Sequence, residues 1–160
     1  MAPLIFLLAT FVILYLVNKY VLKDRLSISF IGRAAMAAML IVTGVSHFTN
    51  TESMIEMMPD AMPAKRETVY LTGICELLAV IGLIWTKFSR ITAILLIIFF
   101  VAVLPANIIG SFREVAIGGM DYGPWYLLFR VPLQIFFIWW VWYFGLRTGG
   151  RASGLPETVG

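Results

Sequence analysis

The chain has 160 residues, of which 61% are hydrophobic and 13% charged, with a formal net charge of +3. A soluble domain of this size could not cover so much apolar surface, and a modest charge without a Lys/Arg-rich tract excludes a nucleic-acid binder. A single cysteine, Cys75, excludes an intrachain disulfide and a C-x-x-C redox motif, and a single histidine, His47, excludes a bis-histidine haem or a three-histidine metal site built by one chain.

The apolar segments run for about 20 residues instead of alternating over about 10, which predicts helices and not barrel strands. Five spans are expected, at residues 3–21, 29–48, 68–86, 91–111 and 124–145, forming an all-α, polytopic membrane helix bundle whose first partner is the lipid bilayer. One domain is expected over residues 1–147, followed by a short flexible cytoplasmic tail at 148–160, rich in glycine. The first span lacks the basic leader and cleavage site of a signal peptide and is expected to stay. Ala34, Ala35, Ala37, Ala38 and Gly44 mark the second as a central, protein-facing helix, with Thr43 and Ser46 in keeping.

Positive charge is unevenly divided between the connections. Lys19, Lys23, Arg25, Arg33, Lys87, Arg90, Arg147 and Arg151 fall on one side, against Lys65, Arg66 and Arg113 on the other. The excess predicts a cell-membrane protein with its N-terminus outside and its C-terminus in the cytoplasm. Tyr122 and Trp125 would then mark the outer interface, and Trp85 with Trp139 to Tyr143 the inner one. The longest connection, residues 49–66, places Met54, Ile55 and Met58 at helical spacing beside Glu52 and Glu56, ahead of Pro59. That pattern predicts a short amphipathic helix, either a lid or a loop lying on the bilayer.

Charged and amide side chains at bilayer depth are costly, so each is a functional candidate. His47, Glu76, Asn107, Arg130 and Gln134 come from four different spans and fall in the same half of the membrane, Gln134 one turn below Arg130. Two readings stay open at this stage. Glu76 and Arg130 could form a purely structural buried ion pair, or the set could line a site for a ligand, proton or substrate, in which Glu76 exchanges a proton with His47. Pro105 and Pro132 free the carbonyls of Val101 and Leu128, a common way to line a membrane cavity. Cys75 reads as a small packing residue. No metal site is expected.

The segments GRAAMAAMLIVTGVSHF, MIEMMPDAMP, VYLTGICELLAVIGL, LPANI and FRVPLQ, in that order across residues 32–134, resemble the DoxX-like family of small integral membrane proteins. The resemblance implies a four-helix core plus one extra N-terminal helix, with the five polar residues at the family's recurrent positions. It also implies a redox-associated setting with a quinone as the candidate cofactor. A thiosulfate oxidase activity does not carry over, because no redox centre is visible. The expected function is therefore binding of a quinone or lipid-like small molecule at a buried polar site. The alternative is an accessory or assembly subunit that docks another membrane protein, and a second copy of the chain is a further candidate partner. A channel or transporter fits less well, since no pair of broken-helix repeats is apparent.

Overall fold

The computed structural model describes residues 2–116 and 119–148, without the side chain of Asp121. Apart from Thr148, the expected flexible tail lies outside the described residues. Those residues form helices and turns with no strand, in the order α1 (Ala2–Tyr20), α2 (Ile28–Thr49), α3 (Thr51–Glu56), α4 (Lys65–Ile84), α5 (Ser89–Phe112) and α6 (Leu127–Val141). Irregular 3-10 turns over Met120–Tyr126 lead into α6, and a π turn over Trp142–Arg147 follows it. Five helical stretches are long and apolar enough to cross a membrane, namely α1, α2, α4, α5 and Tyr122–Arg147. Their outer faces carry large apolar side chains, among them Ile13, Leu71, Leu78, Ile98 and Ile135, each more than half exposed.

Local signals explain the helix ends. Asn18 closes the first connection, its amide donating to the Leu26 carbonyl at 3.1 Å while the Leu26 N–H donates back to Oδ1 at 2.8 Å. Ser27 then caps α2 by accepting from the Phe30 N–H. Small side chains make α2 the central helix, as expected: 56% of its span residues are buried, against 11% for α1. Its pairing with α4 is the most extensive in the bundle, and Gly44 and Gly73 sit at that crossing.

Connection 49–66 forms the short α3 and a turn, both at the end of the bundle where α4 begins and α5 stops. We call this the lid end. Arg113, just past α5, donates to the carbonyls of Glu56 and Met58 at 3.0 and 3.2 Å and to the Asp60 carboxylate at 2.8 Å. Lys65 adds a second cation 3.6 Å from Asp60, and Arg66 pairs with Glu52. The lid is therefore tied down by exposed ion pairs and by two backbone carbonyls.

The opposite end is packed closely enough that the crevice among Gly32, Leu83, Trp140 and Phe144 has no room for a water molecule. Trp140 is buried and donates its indole N–H to the Gly32 carbonyl at 2.9 Å, so it belongs to the core and not to an interfacial aromatic belt. Trp85, Trp139 and Trp142 remain exposed at that end, as expected of a belt, with Tyr122 and Trp125 exposed at the other. Arg33 also departs from the expectation of an interfacial cation. It is 4% exposed, and its Nε and Nη1 have no hydrogen-bond partner among the described residues. Phe30 lies under its guanidinium at 5.9 Å.

Candidate functional site

Helices α2, α4, α5 and α6 each supply one wall of a cavity, which Ala2 and Pro3 at the start of α1 also border. Its volume is about 420 Å³, and it reaches the lid end, where Met54, Met57 and Met58 line it. All five polar residues singled out in the sequence border this one space: His47 from α2, Glu76 from α4, Asn107 from α5, and Arg130 and Gln134 from α6. Phe99, Phe100, Leu133 and Phe137 supply apolar wall below and between them.

His47 and Glu76 form the first polar pole. The imidazole Nδ1 lies 3.1 Å from the Val69 carbonyl and 3.1 Å from Thr72 Oγ1, itself a donor to the carbonyls of Thr68 and Val69. A carbonyl oxygen only accepts, so these contacts assign the hydrogen to Nδ1 and leave Nε2 turned toward Glu76. Nε2 and Glu76 Oε1 are 3.5 Å apart, and Thr43 donates to the other carboxylate oxygen at 2.5 Å. A proton held by either Nε2 or Oε1 would face the other group, an arrangement suited to proton exchange.

Arg130 and its neighbours form the second pole. Nε donates to Asn107 Oδ1 at 3.1 Å, and the Asn107 amide donates to the Val103 carbonyl at 2.9 Å, which fixes the side-chain orientation of Asn107. One turn deeper, Gln134 is 2% exposed and donates to the Phe100 carbonyl at 2.5 Å, while its Oε1 has no partner among the described residues. That oxygen is itself buried, so it is a polar group the fold leaves unsatisfied in a residue that borders the cavity.

Several expectations need correction. Glu76 and Arg130 do not form an ion pair within 4 Å; Glu76 instead faces His47, and Arg130 is held by Asn107. α4 starts at Lys65, three residues before the expected span, so Glu76 lies roughly 16 Å along the helix from its first residue. Val101 and Leu128, the carbonyl owners freed by the two prolines, do not line the cavity and lie on exposed faces. Cys75 is exposed and does not line the cavity, so it does not pack inside.

Thr72 and Arg113 went unremarked as functional residues. Thr72 is one turn before Glu76 on the same face, as Thr43 is before His47, so helical periodicity could have found it. Arg113 had no such signal, because its partners lie more than 50 residues away in the chain.

Residues 36–145 match the family described as Domain of unknown function (DUF8561), which is more than half of the chain. The chain belongs to that family. The DUF8561 region contains every residue of both polar poles, the lid and Arg113, and leaves out α1 and the first part of α2. No curated protein and no solved structure matches the chain.

Proposed function

We propose that this DUF8561 member is an integral protein of the cell membrane that binds an amphiphile of the quinone or lipid kind, head in the cavity and tail along the apolar walls. The convergence of five polar side chains from four helices on one cavity carries this reading. A structural cluster would spend its polar groups on one another, whereas Gln134 Oε1 stays without a partner and about 420 Å³ stays open between the poles. The distribution of Lys and Arg supports placing the lid end outside and residue 147 in the cytoplasm. The resemblance to DoxX-like proteins supports a redox-associated setting, in which the His47 and Glu76 pair would give a proton to, or take one from, the bound head.

Native mass spectrometry of the purified protein, followed by extraction, tests the reading. Wild type should carry one amphiphile per chain, and Ala106→Phe, which fills the cavity with an apolar ring, should lose it while unfolding at a similar temperature. Bulk lipid alone in both samples would refute ligand binding. It would favour the accessory-subunit alternative, in which the bundle surface docks another membrane protein.

A further inference from the structure

The two poles differ in what they leave unsatisfied. Glu76, the single acid among the described residues lining the cavity, has both oxygens occupied by neighbours, Oε2 accepting from Thr43 and Oε1 facing His47 Nε2 at 3.5 Å. Arg130 is engaged only at Nε. Among the described residues its Nη1 and Nη2 have no hydrogen-bond partner and no carboxylate within 4 Å. Asn107, itself anchored on Val103, takes the one N–H that would otherwise let the guanidinium turn, so the two terminal amino groups are presented at a fixed angle. Arginine keeps its charge in proteins, Phe99, Phe100, Leu133 and Phe137 give that charge only apolar wall, and Glu76, the carboxylate across the cavity, stands beyond 4 Å with Thr43 and His47 against it.

Taking the cavity as an amphiphile site, we infer that the head it receives is a monoanionic carboxylate, bound end-on by Nη1 and Nη2 of Arg130, with a single hydrocarbon tail. A carboxylate has two coplanar oxygens that match the guanidinium fork and one charge that cancels its own. A quinone carbonyl satisfies one N–H and leaves the charge buried and unpaired. A phosphate monoester carries nearly two negative charges, more than this one guanidinium balances. The inference rests on the binding proposal above and narrows its ligand from the quinone or lipid kind to an acid.

The test uses the full chain in a neutral detergent and four probes: dodecanoate, dodecanol, dodecyl phosphate and a short-chain quinone. Bound fractions are read by native mass spectrometry and by the rise in unfolding temperature. Dodecanoate should bind at least about ten-fold tighter than dodecanol, and Arg130→Gln should bring the acid down to the level of the alcohol. Wild-type affinities for acid and alcohol within a factor of about two, or a preference for phosphate or quinone over the acid, overturn the inference and leave amphiphile binding standing. Failure of all four probes to bind overturns amphiphile binding itself. The wild-type comparison of acid with alcohol decides the matter even if the Arg130 variant does not fold.

Discussion

The α2–α4 crossing sets the distance between His47 and Glu76, and Gly73→Ala is the substitution that probes it. A Cβ at Gly73 would stand 2.7 Å from His47 Cβ and 3.2 Å from the Gly44 carbonyl. Both neighbours are rigid, and the first distance falls 0.7 Å short of the 3.4 Å at which ordinary contact begins. The helices must part by about that much, which stretches the 3.1 Å contact between His47 Nδ1 and the Val69 carbonyl beyond hydrogen-bonding length. Overpacking costs about 1–3 kcal/mol, and the better helix propensity of alanine returns about 1, so a net loss of about 0–2 kcal/mol is expected. The more telling readout is the imidazole. His47 is the single histidine of the chain, so its ¹⁵N resonances need no assignment. Wild type should show a fixed Nδ1–H tautomer, and Gly73→Ala a mixture. Gly44→Ala is the control, since its added Cβ would first meet the tip of Leu77 at 3.0 Å, which can rotate away. An unchanged tautomer and an undiminished unfolding temperature in Gly73→Ala would refute the claim that close helix approach orients the pair.

Other outcomes follow from single contacts. Asn107→Leu leaves the Arg130 Nε without a buried acceptor, so thermal unfolding should report a loss of about 1–3 kcal/mol and amphiphile retention should fall with it. The Arg113 guanidinium holds the Asp60 carboxyl below its ordinary value, with Lys65 assisting. A depressed carboxylate stabilises the folded lid above the unfolded pKa, and that contribution is lost as pH falls through the folded one. Hydrogen exchange of residues 50–64 should therefore speed up below about pH 4 and in high salt, and Arg113→Gln should exchange fast at neutral pH as well. Ala64, at the start of α4, has a φ of +51°, where a Cβ is strained. Ala64→Gly should leave stability level or raise it by up to about 1 kcal/mol in a thermal melt, and a clear loss would contradict the strain.

The spans were legible because apolar runs long enough to cross a bilayer leave few other folds open, and the structure keeps all five. Their edges were less so. Lys65, Arg66 and Glu67 continue α4 outward as a charged first turn, which hydropathy reads as loop. The membership of the site was also legible, since charge and amide groups inside apolar runs stand out. Its pairing was not. Hydropathy does not fix the rotation of a helix about its axis, and rotation decides that Glu76 meets His47 and Arg130 meets Asn107. Angular reckoning would have corrected the prolines: at about 100° per residue, Val101 lies roughly 120° around α5 from Asn107, and Leu128 roughly 160° around α6 from Arg130. The side chains of Val101 and Leu128 therefore lie away from the cavity.

The bundle divides its work between its ends. Away from the lid, Gly32 admits the Phe144 ring, Ser29 donates to the Phe144 carbonyl at 2.8 Å, Trp140 bonds Gly32, and Gly145 lies against Ala93. This half joins α2, α5 and the end of α6 through contacts that leave no room for a ligand. Toward the lid the same helices diverge around the cavity and are held by polar contacts in place of close packing. Stability gathered at one end lets the other keep an open cavity bordered by the terminal amino groups of Arg130, which have no partner among the described residues. Substitutions in the packed half should thus lower the unfolding temperature and leave the ligand preference unchanged, whereas those around the cavity should alter the preference at smaller cost to the fold. A single variant at Gly32 or Gly145 that changed the preference between acid and alcohol would show that the two halves are coupled.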